Sequence, residues 1–378
     1  MEKGMQTNTR KEGLDLLFLL VTFGGFFLLT GVSMGVSQMF STLMETAYQL
    51  LVETVFYIMA IAVLAGAFGK VADEFGLIKK LNVIFSPLMR PLYNLPGSAF
   101  LGVITTFLSD NPAIISLTRN KDFLRYFKRH EIPCLCNLGT SFGMGLIVTT
   151  FMASLGYGKA AGIGLLGAVV GSIVSVRLML RHTKKLVVDD GRPMKDPDTM
   201  EESQFSPVSE SRTERMMRAC LEGGKYGVEI GLEIVPGVLI ICTVIMMLTF
   251  GPSETGYTGA AFEGIALIPR IGELFAPVTW LLFGFTSSES IAVPLTALGS
   301  VGASLSLVPK FLNEQIIGAN EIAVFTAMGM CWSGFLSTHV AMLDALNFRQ
   351  LIPKAISSHL VGGIAAGVSA HYLYLLFG

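Results

Sequence analysis

Two carboxylates stand where an apolar chain should not carry them. Asp110 lies in "FLSDNPAIISL" (107–117), between Ser109 and the pair Asn111-Pro112. Glu289 lies in "GFTSSESIAVPL" (284–295), between Ser287-Ser288 and Ser290. Ionisable groups in membrane segments are rare, and they usually face a cavity or a partner. Carboxylates at such a place can accept hydrogen bonds from hydroxyls of a polar solute, coordinate sodium or carry a proton. Asn111, Asn137, Thr140, Ser141, Ser287, Ser288 and Ser290 offer neutral donors and acceptors around them, and Ser333, Ser337 and Thr338 can line a facing helix. Any single hydroxyl can equally bond its own helix backbone. His339 has Asp344 shortly after it, so a plain His–Asp interaction and a proton relay both stay open. Glu53 and Glu233 fall near the ends of their apolar runs and read as interfacial.

The elements that hold these residues follow from composition. Of 378 residues 52% are hydrophobic and 15% charged, and the mean hydropathy is +0.61. Soluble domains carry about 25% charged residues, so this is an integral, polytopic membrane protein whose main partner is the lipid bilayer. A net charge of -1 implies no nucleic-acid partner. Five cysteines scattered through apolar sequence make no disulfide framework, and Cys134-x-Cys136 reads as buried thiols rather than a zinc site. No nucleophile–base spacing indicates an enzyme.

A helix needs about 20 apolar residues to cross the hydrocarbon core. Seven stretches qualify: 14–36, 47–69, 133–155, 160–181, 228–250, 319–342 and 356–377. The first has no cleavage site behind it and reads as a retained helix. Polar residues interrupt two further stretches, near 81–117 and 272–308. Lys and Arg mark cytoplasmic loops. Lys3, Arg10 and Lys11 put the N-terminus inside; Lys70, Lys79, Lys80 and Arg90 return the chain to the same side. Arg119, Lys121, Arg125, Lys128 and Arg129 belong there too, so 91–118 must enter the membrane and turn back. Irregular backbone at depth is tolerated only where protein or a cavity surrounds it. Ser109–Pro112 is therefore expected at the tip of a re-entrant hairpin. The polar segment 183–227 reads as a cytoplasmic linker, 251–266 lacks Lys and Arg and belongs outside, and the C-terminus is expected outside.

The chain also resembles itself. "LVETVFYIMAIAVLAGAF" (51–68) matches "LEIVPGVLIICTVIMML" (232–248), setting Glu53 opposite Glu233. "TTFLSDNPAIISL" (105–117) matches "FGFTSSESIAVPL" (283–295), setting Asp110 opposite Ser288. "EIPCLCNLGTSFG" (131–143) matches "EIAVFTAMGMCWSG" (321–334), setting Glu131 opposite Glu321. Order is kept while orientation reverses. The expected fold is all-α, with about seven transmembrane helices and two re-entrant hairpins in inverted repeats. Its units are an N-terminal segment with the first helix (1–46), repeat 1 (47–182), the linker (183–227), repeat 2 (228–345) and a C-terminal helix (346–378). Secondary transporters are built this way, with sites near the midplane where broken helices of both halves meet. Gly158, Gly162, Gly167 and Gly171 have small-xxx-small spacing, which suits close packing within one chain or between copies in a homo-oligomer.

With these motifs the chain resembles the nucleoside-recognition (Gate) domain superfamily. That group includes concentrative nucleoside transporters, the membrane part of ferrous-iron transporters and spore-maturation-type membrane proteins. The resemblance rests on "GSAFLGVITTFLSDNPAIISLTRNKDF" with "NLGTSFGMGLIV" behind it, and on "GFTSSESIAVPLTALG" with "FTAMGMCWSGFLSTHV" behind it, within roughly 47–155 and 228–342. It implies that Ser109-Asp110-Asn111-Pro112 stands where the transporters present Thr-Glu-Ala-Pro to a base, and that Ser288-Glu289-Ser290 stands where an acidic residue contacts ribose. The chain departs from the pattern in lacking Gln-Thr-Glu at the first tip. It carries Met330-Cys331-Trp332-Ser333 where the transporters place an Asn, and it has neither a P-loop nor the iron branch's Cys-Asn-Val-Pro. The expected function is a secondary transporter in a bacterial cytoplasmic membrane, cation-coupled, for a small polar solute such as a nucleoside. The alternative is a non-transporting Gate-fold protein with an assembly or regulatory role. The expected solute site is Ser109, Asp110, Asn111, Asn137, Thr140, Ser288, Glu289, Ser290 and Ser333. No cofactor is expected. Sodium and protons are the coupling ions to consider, with a cation site near Asp110, Ser141 and Ser287.

Overall fold

The computed structural model describes residues 14–187 and 211–378. The basic N-terminal residues and most of the expected linker lie outside them. The chain is an all-helical integral membrane protein; among the described residues the only β-type pairing is an isolated bridge between Ser253 and Gly256.

The first half begins with α1 (Leu14–Met34) and α2 (Val36–Glu74), separated at Gly35. An amphipathic helix, α3 (Leu77–Tyr93), follows. Hairpin 1 consists of α4 (Gly97–Leu108) and α5 (Pro112–Arg119). Next comes a broken helix, α6 (Cys134–Thr140) and α7 (Gly145–Met152), and then α8 (Gly158–Leu186). The second half repeats the order. It has a long helix α9 (Arg212–Thr249), an amphipathic helix α10 (Leu267–Phe283) and hairpin 2, built of α11 (Ser288–Ala297) and α12 (Val301–Asn313). A broken helix, α13 (Ala319–Trp332) and α14 (Ser337–Ala345), and a final α15 (Ile352–Phe377) complete it.

Among the described residues five helical stretches are long and apolar enough to cross a membrane: Leu14–Met34, Val36–Glu74, Cys134–Leu186, Arg212–Thr249 and Arg349–Phe377. A bent pair, Leu267–Phe283 with Ser288–Ala297, could make a sixth. Of the seven expected, 133–155 and 160–181 are the two arms of Cys134–Leu186, which doubles back at Gly156 (φ 94) so that Asn137 donates to Ser175 and Cys134 lies 3.6 Å from Thr183, and 319–342 is broken at 333–336. The linker is also shorter than 183–227. Helix α9 starts at Arg212, where Ser211 and Glu214 form a capping box with bonds of 3.2 and 2.7 Å.

Equivalent helices of the two halves pack against each other in opposite directions. A Cβ on Gly223 would strike Gly66, one on Gly227 would strike Ala62 and Val63, and one on Gly231 would strike Met59, so α2 and α9 run antiparallel with their backbones in contact. In the same way Gly167 meets Ala370, Gly171 meets Ala366, and Gly362 meets Ser175, which makes α8 and α15 antiparallel. Small residues permit this closeness where lipid supplies no hydrophobic drive between helices. Part of the glycine stripe on α8 is thus used inside one chain, while Gly162 has nothing within 4 Å.

The two ends of α2 face different surroundings. At Glu74 it meets the start of α9 through Arg215 (2.8 Å), with Lys70 3.9 Å from Glu222 nearby. Near its start, Thr46 accepts a 2.9 Å hydrogen bond from the Phe262 amide of the loop that lacks Lys and Arg. That loop is braced by buried Glu263, whose carboxylate accepts from the Thr258 amide (3.0 Å), the Thr258 hydroxyl (2.7 Å) and the Gly259 amide (2.9 Å). Burial alone would raise the pKa of Glu263. Those bonds, with one from Ser253, outweigh it and hold the carboxyl below its ordinary 4.5.

The two broken helices form the centre. Every residue of α6 is buried, and so is α13 from Glu321 to Trp332. A helix apolar on all sides belongs inside a bundle. Each is anchored by a buried glutamate at its start. Glu131 accepts from the Lys128 amide (2.8 Å) with Arg90 3.6 Å away, and Glu321 accepts from the Gly318 amide (3.0 Å) and the Thr286 amide (3.3 Å). These are the residues that the repeat sets opposite each other.

Candidate functional site

A cavity of about 430 Å³ lies where the hairpins and broken helices converge. Hairpin 1 contributes Asp110, Asn111 and Ile115, and hairpin 2 contributes Gly299, Ser300, Val301 and Gly302. The break in α13–α14 brings Ser333, Gly334, Ser337 and Thr338, Met144 comes from the break in α6–α7, and α9 adds Ile230, Glu233 and Ile234.

Hairpin 1 ends here because its sequence cannot continue a helix through Ser109–Asn111. Pro112 starts α5, at a position where its missing N–H costs nothing. The Asp110 carboxylate accepts from the Asn111 amide at 2.7 Å. Asn111 is held from both halves. Its Nδ2 donates to Ser333 Oγ at 3.1 Å. A Cβ on Gly334 would lie 2.5 Å from its Nδ2, and one on Gly143 would collide with its Oδ1. Gly334 also has φ +60, a backbone that favours glycine. Asn111 is buried, and its Oδ1 has no partner among the described residues.

The structure distributes the expected residues unevenly. Asp110, Asn111 and Ser333 line the cavity, as do Ser337 and Thr338. Ser109 donates to the Thr105 carbonyl (2.7 Å) and lines a second cavity of about 580 Å³ beyond the tip, beside Lys70, Asp73, Glu222 and Tyr226. Asn137 is buried in a separate network, donating to Ser175 Oγ and the Ala355 carbonyl, both at 3.0 Å. Thr140 and Ser141 bond back to the Cys136 and Asn137 carbonyls at 2.8 and 2.7 Å. His339 neighbours His359 (ring centroids 4.8 Å apart) and bonds the Phe335 carbonyl, whereas Asp344 faces Arg349 at 3.8 Å.

Hairpin 2 requires a correction. Ser287, Ser288, Glu289 and Ser290 do not form its tip. Ser287 caps α11, and Ser288, Glu289 and Ser290 form its first turn, at the end away from the cavity. Ser287 and Ser288 donate to the Glu289 carboxylate, and Ser287 Oγ accepts from the Glu289 amide at 3.3 Å. A carboxylate in a first helical turn is favourable without any ligand. The tip is Leu298-Gly299-Ser300, with Ser300 capping α12 through Ala303 N (3.2 Å). Asp110 is thus equivalent to Gly299 rather than Ser288. Asn94 and Gly284, both left-handed, end α3 and α10 and mark the true register. The expected grouping of Asp110, Ser141 and Ser287 does not occur around this cavity.

Glu233 was missed. Taking 228 as a helix start put it at a membrane boundary, but α9 begins at Arg212, which carries Glu233 well into the helix and onto the cavity. The charged residues between 212 and 225 hid that start.

No family model matches the chain, and no curated protein matches its sequence. Solved structures do. CNTnw in an inward-facing, substrate-bound state superposes with a TM-score of 0.56 at 13% identity, covering 100% of this chain and 88% of that one. A CNTnw double variant in an outward-facing state gives 0.54 at 14% identity, covering 99% and 87%. An intermediate state gives 0.52 at 14%, covering 98% and 86%. The chain therefore has the fold of a concentrative nucleoside transporter over its whole described length.

Proposed function

We propose that this chain is a secondary transporter which binds a small polar solute in the cavity between the two hairpin tips and exposes it alternately to the two sides of the membrane. The observation that carries the reading is the convergence of both hairpin tips and both helix breaks on one cavity of about 430 Å³, within halves whose equivalent helices run antiparallel. Asp110, Asn111 and Ser333 are its proposed contacts, joined by Glu233, Ser337 and Thr338, while Ser300 lines the cavity as the cap of α12. Ser109, Asn137, Thr140 and Ser288–Ser290 are given positioning roles in hairpins and helices. Placement in the nucleoside-recognition group, and coupling to sodium or protons through Asp110, belong to the same proposal. So does a bacterial cytoplasmic membrane with the N-terminus inside. The fold and the gathering of Lys70, Arg215 and Arg218 at the Glu74 end of α2 support it.

The test is uptake into proteoliposomes of labelled nucleosides, nucleobases, amino acids and amines, under a sodium gradient, a proton gradient or none. Gradient-dependent accumulation that Asp110→Asn abolishes is the expected result. Absence of accumulation for every solute, with folded protein in the membrane, would favour an assembly or regulatory role.

A further inference from the structure

Resting on that reading, we infer that the central cavity selects a solute carrying a positive charge: a small organic amine or ammonium compound. Asp110 and Glu233 are the ionisable groups of the lining, which contains no Lys, Arg or His. Among the described residues neither carboxylate belongs to an ion pair. Two carboxylates facing one cavity repel when both are charged, and a proton on one of them or a cation between them relieves the repulsion. Behind them lies Asn111, whose Nδ2 donates to Ser333 Oγ and whose Oδ1 is buried against Gly143 with no partner among the described residues. A buried acceptor left unpaired is costly. The cavity therefore offers lone pairs in excess of protons. A ligand rich in N–H donors satisfies it, and a charged donor does so most strongly.

The remaining features separate an organic cation from a metal ion. The described residues contain no group of three or more His, Cys, Asp or Glu side chains able to hold a metal. The volume lies within the range of about 300–1,000 Å³ typical of small-molecule pockets. Ile115, Met144, Ile230, Ile234 and Ile241 give it apolar walls. Such walls suit the hydrocarbon part of an amine and leave its charged end to the carboxylates.

The experiment is calorimetric titration of the full chain in detergent micelles with putrescine and butylamine. Butanol, butyrate and uridine serve as neutral, anionic and nucleoside counterparts. Both amines are expected to bind the wild type, and butanol and butyrate are not. Asp110→Asn and Glu233→Gln should each weaken amine binding by about tenfold or more, the size of one charge-assisted hydrogen bond. Binding of uridine or butyrate without binding of either amine would overturn the cationic class and leave the transport reading standing. Equal amine affinity in the wild type and both variants would also overturn it, by moving the amine elsewhere. The wild-type panel decides the question even if a variant fails to fold. Failure of every probe here, together with failure of all uptake in proteoliposomes, would remove the site reading itself.

Discussion

Hairpin 1 turns through Ser109, Asp110 and Asn111, whereas hairpin 2 turns through Leu298, Gly299 and Ser300. Both tips leave backbone irregular beside the same cavity. Their solutions differ. Tip 1 carries a carboxylate and an amide, and the amide is gripped by glycines from both broken helices. Tip 2 carries no ionisable group. Its glycine has only Ile241 Cδ1 at 3.4 Å and the Thr296 carbonyl at 3.6 Å beside an added Cβ, and Ser300 closes the turn as an ordinary helix cap. The comparison teaches that pseudo-symmetry here applies to the backbone and not to the chemistry. One half places a carboxylate and an amide at its tip, and the other places a compact wall. The acidic partner for tip 1 comes from a long helix of the second half, at Glu233, and not from the second tip.

The sharpest way to break this contrast is Gly334→Val. It places a branched side chain against Asn111 at a left-handed backbone position. A loss of about 3 kcal/mol is expected from overpacking and the left-handed penalty together, read as a fall in melting temperature and loss of binding. Normal melting would mean that tip 1 is not clamped.

Hairpin 2 is braced from outside: Lys310 of α12 stands over the rings of Phe250 and Phe262, at 5.4 and 5.0 Å, next to the Glu263 clamp. The folded pKa of Glu263 lies below 4.5. Its contribution to stability is therefore complete above the unfolded value and disappears as pH falls through the folded one. Above pH 5, Glu263→Gln should cost about 1.5–3 kcal/mol, the worth of hydrogen bonds to a charged group. Melting curves of wild type and variant should converge as acid protonates the wild-type carboxyl. A gap that stays constant from pH 7 to pH 3 would count against the clamp.

A smaller effect is expected at the cap of tip 2. Ser300→Ala should cost about 1 kcal/mol and leave solute affinity within about threefold, a change of under 1 kcal/mol. A large loss of affinity with little loss of stability would give tip 2 a recognition role and erase the asymmetry. The smallest effect belongs to Gly299→Ala, whose new methyl meets only ordinary contacts. It should change stability by about 0.5 kcal/mol or less, as substitutions free of strain do.

Much of the architecture was legible in the amino-acid sequence. Apolar runs, basic loops and the Ser109–Pro112 interruption act locally, through the cost of charge in lipid and the missing N–H of proline, so the helices and the tip of hairpin 1 can be read from neighbouring residues. The matched glutamates Glu131 and Glu321 were legible for the same reason: each closes a local turn ahead of or at the start of a buried helix, Glu131 on the Lys128 amide and Glu321 on the Gly318 amide. In hairpin 2 polarity does not mark the tip. Ser287–Glu289 is polar because it caps a helix start, while Gly299-Ser300 turns the chain by being small.

What the sequence determined by itself, then, was the class of fold and one half of the site, since those follow from each residue's own preference for lipid, helix or turn. Only the tertiary structure decided that Glu233 shares a cavity with Asp110, that Gly143 and Gly334 make room for Asn111, and that Asn137 serves a separate network. Those facts depend on helices far apart in the chain crossing at one point. A glycine that matters for the space it leaves, or a glutamate whose neighbour lies on a distant hairpin, has no local signature to read.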